Sequence, residues 1–471
     1  MSMLDVARGA YVRSPPAVRR SLAPLISLVP TRARFGATYR RQRAEIARAA
    51  ADPAYAELRH LEKLRALITL AHANSPFYRE LIDAAYGAGA DLCDFMPEDL
   101  LRLPILDRVK LSTVGEAALA APKASLDRAE TSGSNAEKPF SFWLDKGRSS
   151  REMAFVYDAW SRIGFNERTA RAAFRGFALF PEGEHVHEWN PALRELRVSV
   201  FPMSLADAAH YLDLIDRRRI RYLYGYASAL ELFCRQLRRL GRRPKLPIKG
   251  IMPISEPLHP HQRRDISAVL GEVPFACFYG LSEKVLFAVE LPGTIGTYAF
   301  NPLYGLAELV DNRGQRVTEK GREGRLVGTG FLSTGMPFIR YDTGDSARLV
   351  ELPTPENGQR LIVDRLMPRR KPDFLVTTEG ERVVTVDLTP EDPKMFAGID
   401  EFQFYQDRPG IVLLRYVASP GASAADAQRF AEHLGHRAQG RLRFETVKVD
   451  RIAAGRGGKR AFVEQRLDLS R

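Results

Sequence analysis

The chain has few cysteines: three among 471 residues, standing far apart at Cys93, Cys234 and Cys277. No two of them have the spacing of a zinc knuckle or of a redox motif. A chain of this length, about three domain equivalents, buries enough surface to fold without disulfides. The sequence therefore predicts a protein of a reducing compartment, and we expect a cytoplasmic one.

Long apolar runs are also missing, and none approaches the roughly 18 residues that a membrane-spanning helix needs. The best secretion candidate, residues 21–30, begins late and leads into basic sequence without a small-residue cleavage site, so no signal peptide is expected. Arginines scattered through residues 8–48 leave open a peripheral contact of this basic arm with an anionic membrane. Its apolar side would consist of Leu22, Leu25, Ile26 and Leu28. A helical arm packed on its own domain is the favoured interpretation.

The charge balance is basic, with a formal net charge of +13, while hydrophobic residues make up 45% of the chain and aromatic residues 9%. This composition excludes disordered, collagen-like and coiled-coil proteins. The charge indicates anionic partners such as nucleotides, acidic lipid or nucleic acid. The basic runs 216–221 and 235–245 contain no interleaved aromatic residues for base stacking, so they predict a solvated face and no nucleic-acid partner.

Hydrophobic periodicity predicts a helix over residues 38–75, interrupted only at Pro53. Up to about residue 350, amphipathic stretches alternate with short apolar runs, which is typical of α/β architecture with buried strands. The clearest stretches are the helices 208–217 and 227–240 and the runs 172–180, 248–254 and 273–279.

The pattern changes after about residue 360, where short strand-like runs with turns between them predict an α+β module. We expect strands at 374–376, 383–386, 402–405, 411–417 and 444–449 and a helix at 424–434. The predicted division is a basic N-terminal arm (1–50), a large domain (51–364) and a small C-terminal domain (365–471).

A loop rich in small residues, Thr-Ser-Gly-Ser-Asn-Ala-Glu-Lys-Pro at residues 131–139, is the first candidate for chemistry. Backbone N–H groups, hydroxyls and a lysine suit phosphate oxygens. Pro139 and the lack of Gly-Lys-Ser/Thr exclude the usual P-loop. Taken alone, such a stretch is more often a solvated turn.

Two further segments suit a nucleotide. In Tyr-Gly-Leu-Ser-Glu at 279–283, the tyrosine face can stack on a purine, Gly280 permits close approach, and Glu283 can reach Mg²⁺ held by phosphates. In Arg-Tyr-Asp-Thr-Gly-Asp at 340–345, Asp345 is suited to accept both ribose hydroxyls. Each segment by itself is equally explained as an ordinary turn.

In this order and spacing, the three segments resemble those of the adenylate-forming superfamily of acyl-CoA synthetases, and within it the phenylacetate-CoA ligase-like branch with its capsule-biosynthesis relatives. Further matches extend the resemblance over residues 74–460. They are Asn74-Ser75-Pro76-Phe77-Tyr78, Leu103-Pro104-Ile105, Ser255-Glu256-Pro257 and Gly457-Gly458-Lys459-Arg460.

The resemblance implies an α/β large N-terminal domain with a small mobile α+β C-terminal domain. It further implies activation of a carboxylic acid by MgATP to an acyl-adenylate, followed by transfer to a thiol, most simply coenzyme A. Lys459 would act at the α-phosphate in adenylation, and Glu283 would be catalytic and hold the metal. The nucleotide would be bound by Thr131, Ser132, Gly133, Ser134, Lys138, Glu256, Tyr279, Gly280, Asp345 and Arg365, and the acid pocket lined by Tyr224, Tyr226 and Ser228.

Two departures from the family pattern stand out. Ala136 replaces a usual glycine in the phosphate loop, and Glu137 places an acid near the triphosphate. The hinge motif is altered, which leaves open whether Arg365, Arg369 or Arg370 contacts ribose. Two other functions therefore stay open: transfer to an amine or hydroxyl instead of a thiol, and a non-catalytic nucleotide-binding protein.

Two weaker patterns allow alternative interpretations. His185 and His187 have possible metal-ligand spacing, but a solvated loop is favoured over a metal site. Tyr222, Tyr224 and Tyr226 alternate just before a helix, and core packing is an equally good account of at least one of them.

Overall fold

The structure is a computed structural model of the chain. It describes Val18, Ser21 and residues 35–130, 140–175, 187–200, 203–255, 258–367, 374–388, 398–419, 421–452 and 463–467. Several predicted features lie outside the described residues: the apolar side of the N-terminal arm, the 131–139 loop, His185, Glu256, Arg369, Arg370 and Lys459.

Helices fill the first part of the described chain: α1 (Gly36–Ala51), α2 (Pro53–Asn74), α3 (Pro76–Tyr86) and α4 (Arg108–Val114). The break between α1 and α2 follows from Asp52, whose side chain accepts a hydrogen bond from the Tyr55 amide, and from Pro53 in the first turn of α2. This confirms the predicted helical stretch with its interruption. Tyr39 and Ile46 of α1 are buried, so this helix packs on the protein and crosses the predicted arm boundary at residue 50.

The α3 helix is capped in the same way, because the Ser75 hydroxyl accepts from the Tyr78 amide and Pro76 occupies the first turn. The Tyr78 hydroxyl donates to the Pro337 carbonyl, 2.8 Å away and far along the chain. The Asn-Ser-Pro-Phe-Tyr segment therefore fastens the N-terminal helices to the strand region that carries Tyr341.

A hairpin and a five-stranded sheet come next. The hairpin is β1 (Leu126–Glu130) and β2 (Ser141–Asp145). The strands of the sheet are β3 (Arg171–Phe174), β4 (His187–Asn190), β5 (Glu195–Val198), β6 (Tyr222–Tyr226) and β7 (Gly250–Ile254). The helices of this part are α5 (Arg148–Ser161), α6 (Leu205–Arg217), α7 (Ala227–Arg239) and α8 (Pro260–Leu270).

The sheet has the strand order β4-β5-β3-β6-β7, and all neighbours are parallel except the edge strand β4. Residues of α6, α7 and α8 pack with the strands in one buried cluster, and residues of α1 and α5 pack with them in another. Strands buried on both faces explain the continuous apolar runs and confirm the α/β prediction for this part of the chain.

The predicted alternation of helices and strands up to residue 350 is wrong beyond α8. Residues 278–367 instead form a seven-stranded antiparallel sheet in the order β11-β12-β13-β14-β10-β9-β8. The strands are β8 (Phe278–Gly280), β9 (Phe287–Glu290), β10 (Tyr298–Phe300), β11 (Gly305–Val310), β12 (Glu323–Gly330), β13 (Tyr341–Glu351) and β14 (Ile362–Met367). Glycines with positive φ, such as Gly293, Gly296 and Gly314, allow the tight turns that make helical crossovers unnecessary.

The C-terminal part has a separate buried core within residues 375–442, whereas the other buried clusters lie within residues 39–363. Its elements are β15 (Phe374–Val376), β16 (Arg382–Val384), α9 (Thr385–Leu388), β17 (Ile399–Arg408), β18 (Ile411–Ala418), α10 (Ala424–Arg437), β19 (Arg443–Lys448) and β20 (Val463–Gln465). The predicted strand 383–386 is shorter than expected, because Thr385 begins α9. The predicted boundary at residue 364 stays a prediction.

Candidate functional site

The carboxyl ends of the parallel strands define one edge of the five-stranded sheet. Phe174 of β3 lies opposite Gly225 of β6, and Tyr226 lies opposite Ile254 of β7. Parallel strands of an open α/β sheet place ligand-binding groups at this edge. The residues that directly follow, Arg175, Ala227 and Ser255, therefore lie along this edge.

The chain after α8 runs beside β7 and reaches the same edge of the sheet. Ile251 of β7 forms a parallel bridge with Phe275, with hydrogen bonds of 3.0 Å from the Ile251 amide to the Pro274 carbonyl and 2.9 Å from the Ala276 amide to the Ile251 carbonyl. The chain then continues into β8, which contains Tyr279. The pairing with β7 therefore brings the Tyr-Gly-Leu-Ser-Glu turn next to the end of that strand.

Tyr224, Tyr226 and Ser228, the predicted acid-pocket residues, lie at the end of β6 and the start of α7. Tyr222 and Tyr224 both belong to one buried core cluster, whereas Tyr226 is only partly buried. Gly225 between them has φ of 153°, and a Cβ there would lie 2.0 Å from the Phe174 carbonyl oxygen. Only glycine lets β6 approach β3 this closely.

Tyr279 and Asp345 meet although 66 residues separate them. The Tyr279 hydroxyl donates to the Asp345 carboxylate at 2.7 Å, and Asp345 is only 8% exposed. Burial and the charge of Asp345 raise the pKa of Tyr279 well above its usual value. The hydroxyl therefore stays protonated and fixes the position of this carboxylate.

Glu283 is a second buried carboxylate in the same cluster. It accepts a hydrogen bond of 2.9 Å from the Tyr341 hydroxyl and is 8% exposed. Burial raises the pKa of Glu283, the nearby Asp345 charge raises it further, and the Tyr341 hydrogen bond acts in the opposite direction. Two neighbouring buried carboxylates are costly unless a cation or hydrogen-bond donors face them.

Phe140, the residue that follows the predicted phosphate loop, is close to this cluster. Residues 131–139 connect the strands of the β1–β2 hairpin, in which Glu130 lies opposite Ser141. Phe140 directly follows the loop, and its ring stacks on Tyr341 with 6.5 Å between the centroids. Phe140 therefore packs on the same tyrosine that donates a hydrogen bond to Glu283.

A buried ion pair holds the Tyr341–Asp345 segment from the other side. The Arg340 guanidinium contacts both oxygens of Glu308 at 3.2 Å and donates to the Leu103 carbonyl at 2.8 Å. Arg340 is 3% exposed and Glu308 2%. Leu103 begins the Leu-Pro-Ile segment found in the sequence, so this segment fixes the third candidate turn.

Several backbone conformations next to the predicted segments are unusual. In the described part of the chain, half of the eight non-glycine residues with positive φ border these segments, with φ between 47° and 61°. They are Ser255, Lys284, Arg340 and Arg365. Such conformations persist where the surrounding structure over-determines them, and they cluster at binding sites and switch regions.

The structure thus brings Tyr279, Gly280, Glu283 and Asp345 together. Arg365 lies at the end of the large sheet with a largely exposed side chain, 3.7 Å from Glu323, and its contact with ribose stays a prediction. The predicted phosphate-binding residues, Glu256 and Lys459 lie outside the described residues, as do Glu137 and the alternative hinge arginines.

Three contacts of this site are not predicted by the sequence: Tyr341 to Glu283, Arg340 to Glu308, and a hydrogen bond of 2.9 Å from Arg175 to the Tyr224 hydroxyl. Tyr341 and Arg340 both belong to the third candidate segment. The residue types of that segment were therefore a signal for the first two contacts. Arg175 interrupts the predicted apolar run 172–180, and a charge within that run was the signal there.

His187, one of the two histidines with possible metal-ligand spacing, contacts another histidine. The His187 and His210 rings approach with 3.1 Å between their nitrogens. Among the residues that the structure describes, no group of three or more His, Cys, Asp or Glu side chains could hold a metal ion. In the same part of the chain, no helix is both long and apolar enough to cross a membrane.

The fold is that of an adenylate-forming acyl-CoA ligase. A crystal structure of 2-hydroxyisobutyryl-CoA ligase, with 2-HIB-AMP and CoA in the thioesterification state, matches with a TM-score of 0.53 and 19% identity. The match covers 88% of this chain and 90% of that one. This likeness confirms the predicted fold class, an α/β N-terminal part followed by a smaller α+β C-terminal part.

The sequence relatives agree with the fold. Protein CapK of Staphylococcus aureus is 23% identical over 83% of this chain and 84% of its own length. The phenylacetate-coenzyme A ligase of Thermus thermophilus is 26% identical over 60% of this chain and 63% of its own length. No protein-family model matches the chain. The matches confirm the resemblance to the phenylacetate-CoA ligase-like branch of the adenylate-forming superfamily.

Proposed function

We propose that this protein activates a carboxylic acid with ATP and transfers the acyl group to the thiol of coenzyme A. The observation that carries the proposal is the buried cluster in which Tyr279 holds Asp345 and Tyr341 holds Glu283, at the carboxyl edge of the sheet. The ligase relatives supply the reaction class, since two of them are phenylacetate-coenzyme A ligases.

In the first step, an oxygen of the acid attacks the α-phosphorus of ATP, and the bond from that phosphorus to the bridging oxygen breaks. Pyrophosphate leaves with the electron pair, and the acyl-adenylate remains. In the second step, the thiol sulfur attacks the acyl carbon, the thiol proton leaves, and AMP departs. Adenylation is needed because a carboxylate would otherwise have to expel oxide.

Different residues of the cluster bind different parts of ATP. Asp345, oriented by Tyr279, accepts hydrogen bonds from the two ribose hydroxyls. Among the described residues, a Cβ at Gly280 would meet only the side chains of Phe287 at 3.7 Å and Phe278 at 4.0 Å, so none of these residues requires glycine there. We assign this glycine to the close approach of the nucleotide, with the Tyr279 ring against adenine.

Magnesium fits the chemistry of Glu283. A buried carboxylate whose pKa is raised by burial and by a neighbouring carboxylate is stabilised by a cation, and Mg²⁺ typically binds one or two carboxylates together with substrate phosphates. When bound, the ion supplies positive charge to the phosphate oxygens. Tyr341 orients Glu283 for it, and the Tyr341 hydrogen bond lowers the pKa of Glu283 against the larger effect of burial.

Most of the remaining roles fall on residues outside the described part of the chain. Thr131, Ser132, Gly133, Ser134 and Lys138 would bind the β- and γ-phosphates, and Glu256 would border the nucleotide. Lys459 would neutralise the α-phosphate during adenylation only, because a rotation of the small domain would withdraw it before thiol transfer. The acid would lie against Tyr224, Tyr226 and Ser228.

Acid-dependent exchange of labelled pyrophosphate into ATP, over a panel of aryl and aliphatic acids, tests the first step. Product mass after adding coenzyme A tests the second and separates a thioester from an amide or ester. Glu283→Gln keeps the acceptor for Tyr341 but removes the charge, so exchange should fall about a hundredfold or more. Glu319→Gln, at an exposed site, is the matched control. Exchange that depends on no acid, or that survives Glu283→Gln, contradicts the proposal.

A further inference from the structure

We propose that the amino edge of the five-stranded sheet, where its parallel strands begin, is a docking surface for an anionic phospholipid bilayer. The proposal goes beyond the proposed function and does not depend on it. From Asp213 to Lys249 the chain has eleven lysines and arginines but three acidic residues, a surplus of eight in a chain of net charge +13. The fold concentrates this surplus at one edge.

The amino ends of the parallel strands carry a row of basic residues. Arg194, Arg221 and Lys249 directly precede β5, β6 and β7. The Arg171 amide, at the start of β3, donates to the Arg194 carbonyl at 3.0 Å, and the Lys249 amide donates to the Arg221 carbonyl at 2.7 Å. The strand pairings continue this register from β5 to β7, so the row spans three strand spacings, roughly 14 Å.

Two helices add their C-terminal ends to the same edge. Helix α6 joins the carboxyl end of β5 to the amino end of β6, and α7 joins β6 to β7 in the same way. Both helices therefore end where the row of basic residues begins. Five exposed arginines lie at these ends: Arg217, Arg218, Arg219, Arg238 and Arg239.

Loop contacts hold the two basic runs of the sequence together. Arg242 pairs with Asp213 at 2.6 Å, and the Lys245 amide donates to the Asp216 carboxylate at 2.9 Å. Two of the three acidic side chains of this stretch thus fasten the loop 241–249 to the end of α6. The row, the two helix ends and this loop form one surface, which we call the basic edge.

The composition of the basic edge does not suit a stable protein partner. Among the described residues, no large hydrophobic side chain between residues 206 and 294 is exposed. Stable protein interfaces have an apolar, desolvated centre with a polar rim around it. The basic edge therefore offers a partner charge without an apolar anchor.

The ends of strands and helices are also poorly suited to nucleic acid. Single strands stack their bases on aromatic rings, but the Trp189 ring of the neighbouring strand β4 is covered by the Arg218 guanidinium at 4.1 Å. Duplexes take the side of a helix or a strand ribbon into a groove, whereas α6 and α7 meet this surface end-on. Basic charges spread over such a surface match a layer of anionic headgroups, where each lysine or arginine strengthens binding roughly fivefold.

Docking through the basic edge leaves the candidate functional site accessible. The parallel strands are four or five residues long, which separates the basic edge from the carboxyl edge by roughly 13 to 17 Å. ATP, the acid and coenzyme A therefore reach the carboxyl edge from the water side. Substitutions at the basic edge should leave acid-dependent pyrophosphate exchange unchanged.

Co-sedimentation of the full chain with vesicles tests the proposal. Vesicles of equal parts phosphatidylglycerol and phosphatidylcholine should pellet the protein, and vesicles of phosphatidylcholine alone should not. Raising the salt from about 0.1 M to about 1 M shortens the Debye length from about 10 Å to about 3 Å, so it should release the protein. Protein that binds both vesicles equally, or that stays bound at high salt, overturns the proposal.

Two variants with the same change in charge locate the binding surface. The first removes four charges of the basic edge and should weaken binding to anionic vesicles about a hundredfold or more. It combines Arg217→Gln, Arg239→Gln, Arg243→Gln and Lys249→Gln. The control removes four exposed charges elsewhere and should keep most of the binding. It combines Lys110→Gln, Arg313→Gln, Lys320→Gln and Arg322→Gln. Equal losses in the two folded variants overturn the proposal.

A gain of binding gives an independent check. Exposed Glu272 borders the basic edge, because Phe275, three residues further on, forms a parallel bridge with Ile251 of β7. Glu272→Gln removes an acid there and should strengthen vesicle binding, whereas weaker binding contradicts the proposal.

Nucleic acid is the competing partner in the same experiment. Duplex DNA or single-stranded RNA that binds more tightly than the anionic vesicles at equal salt overturns the proposal. Melting temperatures report whether each variant folds. Failure of the proposed function appears as no pyrophosphate exchange with any acid, while vesicle binding still reports on the basic edge.

Discussion

Removing one oxygen atom, in Tyr341→Phe, should shift the pH dependence of adenylation. The Tyr341 hydroxyl donates to Glu283 at 2.9 Å, and this bond lowers the pKa of Glu283 against the opposing effect of burial. Phenylalanine preserves the ring contacts with Phe140 and Phe338. The substitution therefore removes the stabilisation of the ionised carboxylate and little else.

The expected size follows from the kind of bond. A hydrogen bond to a charged group contributes about 1.5 to 3 kcal/mol, which corresponds to roughly ten- to a hundredfold in an equilibrium constant. Loss of the bond raises the pKa of Glu283, so a larger share of the carboxyl group is protonated at any acidic pH. The acid limb of kcat/KM should move to higher pH, with at least about a tenfold loss there and an unchanged alkaline plateau.

Acid-dependent pyrophosphate exchange at subsaturating Mg²⁺ is the assay, because protons and the metal compete for the same carboxylate. Apparent Mg²⁺ affinity should weaken on the acidic side only. Tyr78→Phe is the control: this hydroxyl is also buried, but it donates to the Pro337 carbonyl and accepts from the Ile339 amide. An acid limb that stays in place in folded Tyr341→Phe, or that moves equally in Tyr78→Phe, refutes the reasoning.

Three substitutions test the other assignments. Asp345→Ala should weaken ATP binding by about 1.5 to 3 kcal/mol for each ribose hydrogen bond lost, and unchanged affinity in calorimetry would remove the ribose assignment. Glu137→Gly should raise ATP affinity by removing an acid near the triphosphate; a fall in affinity would give Glu137 a positive role. Lys459→Ala should abolish acyl-adenylate formation, with a loss of about a hundredfold or more, yet leave thioester formation from supplied acyl-adenylate nearly intact. Equal loss in both half-reactions would make Lys459 structural and point to another basic residue such as Arg456.

The sequence by itself determined the local elements and the candidate segments. Helix α2 begins at Pro53 because Asp52 and Pro53 are neighbours, and α3 begins at Pro76 because Ser75 precedes it. Capping and hydrophobic periodicity act over a few residues, so both can be predicted from the chain alone. The motif segments likewise carry their chemistry in adjacent residues, which is why Glu283 and Asp345 could be singled out.

Only the tertiary structure decided which of these residues meet. Sequence spacing does not predict that residues 278–367 form an antiparallel sheet, because short apolar strands look alike in parallel and antiparallel pairing. The register of that sheet and its packing bring Tyr341 to Glu283 across 58 residues and Arg340 to Glu308 across 32. The pairing of β3 with β6 brings Arg175 to Tyr224 across 49. Side-chain partners at such separations depend on strand register, and a shift of one residue would turn the strand residues Tyr341, Glu308 and Tyr224 to the opposite face.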